Sequence, residues 1–353
     1  MKIRGGVLIA VAVIALAAGA VVHIHRSSAI AETQKKSEPI KIKWLIAHEP
    51  VSLFDRAEQT FVDEFNRDSD GSIQIQILGP KDFGSTNGHL AQKDVMAALN
   101  SGQVQLATAV TAGLTDSTAP QLGVLSLPFL FNNEASAGGV LDGPIGQELL
   151  ASVAASSTAR ALAFTFSGGL LAIESNTKEI RNVNDLRGLH IGTINGPISV
   201  KTLDGLGAVA VPLDSGKGTA ATNALLDQYD GIEIPYTRIS LESTSTIPKY
   251  VNETGHSFFL TTILVSDSFY ASLSGNDQRA LQKAAQAAAL TEREDSIALK
   301  VKNRALLQAK GSIIVTMSPD AAAAFKSKAV GLYPQFAPAF GADLIQRIID
   351  AQR

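Results

Sequence analysis

Short apolar-alternating stretches, each followed by a segment with apolar residues three or four apart, constrain this chain more than any other feature. Residues 40–46 (IKIKWLI) begin in alternation and residues 72–78 (SIQIQIL) alternate again, so both read as strands. Between them Phe54, Ala57, Phe61, Val62 and Phe65 share one face of a helix over residues 54–66. Residues 95–99 belong to a helix stopped by Ser101-Gly102, and residues 104–110 form a buried strand. This β-α-β-α-β order predicts a parallel, doubly wound sheet.

The pattern restarts near residue 160. Residues 161–166 and 170–173 read as strands, and 182–186 as a short helix before a strand ending at His190-Ile191-Gly192-Thr193. Helix is expected over 198–206, extended chain over 209–213 and helix again over 220–227. A long alanine-rich helical region follows at 276–307, then a strand at 313–316 and a helix at 320–332. Two α/β lobes with the chain crossing between them place a binding site in the cleft, outside the carboxyl ends of the strands.

The first residues carry a different message. Lys2 and Arg4 precede an apolar run to Ile24, and Ala29-Ile30-Ala31 closes it with small residues. That pattern predicts a secretory signal over residues 1–31, cleaved after Ala31, with an uncleaved anchor helix as the alternative. The body of the protein is then expected in the periplasm. Without residues 1–31 the chain keeps 27 basic and 33 acidic side chains over 322 residues, a net charge of −6. A mildly acidic surface argues against a nucleic-acid partner. Zero cysteines remove disulfides, thiolate metal sites and a cysteine nucleophile.

Enzymatic constellations are scarce, and no cofactor is implied. His48, His89, His190 and His256 stand too far apart for two to share a helix face, and HExxH, GxSxG and complete GxGxxG motifs are absent. Ser215-Gly216-Lys217-Gly218-Thr219 lacks phosphate-loop spacing and reads as a turn before a capped helix. His48-Glu49-Pro50 follows the first strand, either as a solvated loop or as a cleft-lining pair.

A set of spaced motifs points to a family. Residues 123–131 (GVLSLPFLF) precede Leu141-Asp142-Gly143-Pro144-Ile145-Gly146; then come Asn184-Asp185-Leu186-Arg187-Gly188-Leu189, Leu206-Gly207-Ala208, Asp230-Gly231-x-Glu233-x-Pro235 and Thr254-Gly255-His256. Residues 266–273 (SDSFYASL) close the series. In this order they resemble the solute-binding proteins of TRAP (tripartite ATP-independent periplasmic) transporters, over about residues 41–345. The resemblance implies a two-lobed periplasmic-binding-protein fold of the α/β class, with crossing hinge strands and a long C-terminal helical region. It implies a first lobe of 40–165 with about 258–297, and a second of 166–257 with about 298–353. It also implies capture of a small-molecule solute between the lobes and delivery to TRAP-type membrane permease subunits. Competing expectations are a secreted enzyme using His48, Glu49 and His89, and a ligand sensor for a membrane receptor.

The same alignment empties the family's binding positions. Gly192 stands where the family's carboxylate-binding arginine is expected, and Leu171 where a second arginine is expected. Ile232 and Ile234 replace a glutamine and an asparagine. An arginine holds a carboxylate through a two-pronged, charge-assisted pair, which glycine and leucine cannot supply. The expected ligand is therefore neutral or largely apolar, or an anion held by Lys217 or Arg238. The cleft is expected to include Leu171, Gly192, Ile232, Ile234, His48, Glu49, His89, Thr111, Phe166, Lys217 and Arg238.

Overall fold

In the computed structural model residues 38–353 are described, except 87, 116–118, 194–195, 214–225 and 240–246. The signal expected over residues 1–31, residues 220–225 of the helix expected over 220–227, and Lys217 lie outside the described residues. The strands are β1 (Ile40–Ile46), β2 (Ile73–Leu78), β3 (Leu106–Val110), β4 (Ala159–Ser175), β5 (His190–Thr193), β6 (Val209–Pro212), β7 (Gly231–Pro235), β8 (Tyr250–Glu253), β9 (Phe258–Ser266) and β10 (Ile313–Thr316). The helices are α1 (Asp55–Asp68), α2 (Gln92–Asn100), α3 (Glu134–Asp142), α4 (Pro144–Ser156), α5 (Gly196–Leu206), α6 (Asp267–Ser272), α7 (Gly275–Ala309), α8 (Pro319–Val330), α9 (Tyr333–Phe340) and α10 (Ala342–Asp350).

The sheet runs β2-β1-β3-β9-β4-β7-β5-β6, with β8 and β10 attached beside β4. Its two wings are parallel as expected: β1 with β2 and β3, and β5 with β6 and β7. The centre is not. β9 is antiparallel to β3, and β4 is antiparallel to β9 and β7. A wholly parallel sheet is thereby corrected to a mixed one, because the two strands joining the wings run against their neighbours. The segments 161–166 and 170–173, expected as two strands, are one 17-residue strand that pairs with β9 first and with β7 and β8 further on.

β4 is bent where it changes partners. Its register with β9 slips between Thr165 and Gly169, and Ser167 adopts a left-handed φ of 46°. Gly168 is required there: an added Cβ would lie 2.4 Å from the Pro235 Cβ and 2.7 Å from the Thr237 hydroxyl. From outside the bend, Glu292 of α7 accepts the Phe166 N–H at 2.7 Å and the Ser167 N–H at 2.8 Å.

α7 has 35 residues, which at 1.5 Å per residue makes it ~50 Å long. Its Ala280, Ala284 and Ala288 recur every four residues and face α1, whose Ala57, Phe61 and Phe65 are buried at the same spacing. The small side chains let the two helices approach closely over Trp44, whose ring meets Phe61 at 5.5 Å and Phe54 at 5.9 Å. Further along, Leu307 packs with Ile234 and Val251, and the Asn303 side chain donates to the Tyr236 carbonyl at 2.9 Å. One helix thus braces both wings. The proline-broken segment joins them too: Leu127, Leu130 and Phe131 enter the core of the β1–β3 wing, while Phe129 turns toward Phe325 at 5.7 Å. Among the described residues no helix is long and apolar enough to cross a membrane.

Candidate functional site

The carboxyl ends of four parallel strands meet one cavity of about 440 Å³. Ala47 follows β1, Val110 ends β3, Thr193 ends β5 and Pro212 ends β6, and all four line it. Open α/β sheets put ligands at this place because loops there are free to vary while the strands hold them still. The walls are closed by the His89–Gln92 segment, by the start of α5 at Gly196, Pro197, Val200 and Lys201, and by Leu213, Arg238 and Phe259.

Arg238 dominates the electrostatics. It ends a 3-10 turn directly after β7, is 3% exposed, and places its guanidinium carbon 5.4 Å from the centre of the Phe259 ring. Its Nε and Nη1 have no hydrogen-bond partner. Burial pulls its pKa down to about 10, so it stays charged at neutral pH. A buried cation on the wall of a cavity, with two of its donors unpaired, calls for an anion.

The neighbouring histidines are neutral. Burial is the main cause that takes His89 down to about 2, with Arg238 and His48 adding to it. His48 falls to about 3 through burial and then Arg238, against the opposing pull of the Glu49 carbonyl. The two residues face each other across an antiparallel bridge, His48 fully buried behind His89. Gln92 adds a side-chain nitrogen that is buried and unpaired. Lys201 is exposed, and among the described lining residues no aspartate or glutamate offsets the positive charge.

A second polar cluster holds the cavity floor. The carboxylate of Glu233 on β7 accepts from Ser199 at 2.6 Å and from the Thr193 hydroxyl, and it pairs with His256 Nε2 at 2.8 Å. Thr254 then meets His256 Nδ1 at 2.7 Å. Burial pushes the Glu233 carboxyl up, but the bonds from His256, Ser199 and Thr193 outweigh it and hold the group below the usual range. The motif residues Glu233 and His256 thus tie the end of β5 and the first turn of α5 in place.

The sequence-derived candidates separate into groups. Arg238 and His89 line the cavity, with His48 one layer behind. Gly192 is buried in β5, and a Cβ there would meet the Leu213 side chain at 2.8 Å, so Leu213 fills the space between it and the cavity. Leu171, Ile232 and Ile234 lie in strand interiors at 0–2% exposure and are not among the lining residues. The apolar surface expected from them is core. Phe166 packs edge-on against Phe258 at 5.0 Å, and Thr111 is bonded to Thr262 at 2.8 Å, so neither faces the cavity. Glu49 is half-buried and its carboxylate accepts from the Val51 N–H at 3.0 Å. Gln92, Val200, Lys201, Leu213 and Phe259 line the cavity without a sequence motif to mark them; the one signal for Lys201 is its place in the first turns of the helix after Gly192.

Glu174 on β4 is fully buried with neither carboxyl oxygen paired, and burial raises its pKa to about 8. A raised acid destabilises the fold increasingly as pH climbs from its ordinary value of 4.5 to its folded value. Glu174→Gln is expected to stabilise the protein at pH 8 and to remove a slope of about 1.4 kcal/mol per pH unit. Urea unfolding of both proteins between pH 5 and pH 8 checks this; parallel curves would refute it.

The comparisons agree with this architecture. The family model described as bacterial extracellular solute-binding protein, family 7, matches residues 47–338. A solute-binding protein of Verminephrobacter eiseniae is 27% identical over 296 residues, covering 84% of each chain. The 2,3-diketo-L-gulonate-binding periplasmic protein of Escherichia coli is 22% identical, covering 67% of this chain and 69% of its own. Among solved structures, the sugar acid binding protein of Advenella mimigardefordensis in complex with galactonate superposes with a TM-score of 0.76 at 23% identity, covering 89% of this chain and 98% of that one. A TRAP periplasmic solute-binding protein of Xanthobacter autotrophicus with bound β-D-galacturonate gives 0.73 at 26%, covering 88% and 99%. A match over most of its length, on a two-wing sheet with a cavity at the strand ends, shows that the chain belongs to family 7 of the bacterial extracellular solute-binding proteins.

Proposed function

We propose that this protein is a periplasmic receptor that captures a small organic anion in the cavity between its wings and delivers it to a TRAP-type permease. The buried, unpaired guanidinium of Arg238 carries this reading. Family membership supports the receptor role, and so do one relative named for binding diketogulonate and two similar structures that hold galactonate and galacturonate, all acids. Arg238 would take over the carboxylate contact that Gly192 cannot make, from the loop after β7 rather than from the end of β5. Solute closure follows from differential affinity: a carboxylate that bridges Arg238 and groups on the facing wing binds the closed form better than the open one.

The reading predicts that carboxylic acids bind and their neutral amides do not. Calorimetric titration with matched acid and amide pairs, at low and at 0.5 M salt, is the test. One acid per chain is expected, with affinity only weakly dependent on salt because the ion pair is desolvated. Equal binding of an amide would overturn the assignment of Arg238, and chemical conversion of the solute would overturn the receptor role itself.

A further inference from the structure

We infer that the solute is a monocarboxylate with a compact apolar body, rather than a dicarboxylate or a polyhydroxylated acid. The inference rests on the receptor reading above and narrows its ligand class. The first support is the number of cations. Among the described lining residues Arg238 is the one buried cation, and Lys201, the other positive side chain, is exposed. A second carboxylate would have to lose its water shell without a buried cation among the described lining residues, which a closed site penalises.

The second support is the balance of donors and acceptors. Arg238 Nε and Nη1 and Gln92 Nε2 are donors in want of acceptors, which the two oxygens of one carboxylate provide. Sugar hydroxyls bring donors of their own and need acceptors in return. Among the described lining side chains there is no aspartate or glutamate to offer them, and the Glu233 carboxylate is already occupied by Ser199, Thr193 and His256. The third support is the rest of the wall. Leu90, Val95, Val110, Val200, Leu213 and Phe259 surround the remaining space, and such surface rewards an apolar body of matching size. Leu213 fills the place beside Gly192, so the surface next to the emptied arginine position is hydrocarbon.

The experiment is isothermal titration of the mature protein and of Arg238→Gln with hexanoate, 4-methylpentanoate, benzoate and phenylacetate, against succinate and galactonate. At least one of the four apolar acids is expected to bind ten or more times more tightly than either comparison acid, and Arg238→Gln is expected to lose that binding. Tighter binding of succinate or galactonate, still lost in Arg238→Gln, would overturn the apolar monocarboxylate and leave the anion receptor standing. Carboxylate binding that survives Arg238→Gln, or binding by none of the six acids, would overturn the role given to Arg238 and this inference with it. Circular dichroism of the variant, matching the parent, separates lost binding from lost folding.

Discussion

Arg238→Met is expected to weaken solute binding about 30-fold or more while raising the melting temperature of the solute-free protein. The two effects have one cause. In the free protein the guanidinium is buried with Nε and Nη1 unpaired, and its pKa is drawn down to about 10 from an ordinary 12.5. The charge is therefore held at a cost that methionine, of similar length and without charge, does not incur. Replacing a poorly compensated buried ion by a packed apolar side chain commonly gains ~1–4 kcal/mol. That corresponds to a rise of several degrees in a chain of this size. Binding moves the other way: removing one partner of a desolvated charge pair costs roughly 2–5 kcal/mol, or about 30-fold to several thousand-fold in Kd. Scanning calorimetry without solute, beside titration with the acid that binds best, measures both. A variant that melts lower and binds as before would show that Arg238 is a structural cation and that the anion sits elsewhere.

How far this site was legible can be judged residue by residue. Helix α1 was plain because Ala57, Phe61 and Phe65 bury one face of a helix whose other face is charged. The sequence of β4 divides into two pieces because Ser167-Gly168-Gly169 looks like a turn, whereas it is a bend inside one strand held by α7. The family alignment puts Leu171, Ile232 and Ile234 in the cleft, yet their strands are buried on both faces, where alternation no longer tells inward from outward. Gly192 was informative for a different reason. A missing side chain at the end of β5 can be seen in the sequence, but that Leu213 occupies the gap requires the fold. The cavity wall draws on residues from Ala47 to Phe259, and no local pattern joins Gln92 to Val200 or Phe259. Arg238 was found only as a charge near a motif. Its burial and its unpaired nitrogens, on which its proposed ligand contact rests, are tertiary facts.

Glu292→Ala is expected to cause the largest loss of stability of any single substitution outside the hydrophobic core. The Glu292 carboxylate is wholly buried, and its two oxygens satisfy the N–H groups of Phe166 and Ser167 at the bend of β4. Alanine leaves both N–H groups buried without acceptors, at roughly 1–3 kcal/mol each, and opens a void beside them. The damage should reach the site. The Ser167 carbonyl accepts from Thr237 at 2.8 Å, and Thr237 precedes Arg238, so the bend and the cation proposed to bind solute are mounted together. Glu292→Gln keeps one acceptor and turns an NH₂ toward the other N–H, so a smaller loss is expected, and it carries a pH signature. Burial is the largest influence on Glu292 and raises its pKa to about 7, against the pull of the Phe166 and Ser167 N–H groups and Arg293. Its ordinary value is 4.5, so the folded protein loses stability from this group as pH rises from there to about 7, and not outside that window. The glutamine variant lacks this slope. Its deficit relative to the parent should therefore be widest near pH 4.5 and narrow by ~2–3 kcal/mol by pH 8. Comparing the two proteins at each pH cancels Glu174, His48 and His89, which both share. Denaturant unfolding at pH 5, 6, 7 and 8 makes the measurement. A deficit that stays constant across that range would mean that Glu292 is ionised throughout and that the bend is held by a permanent carboxylate.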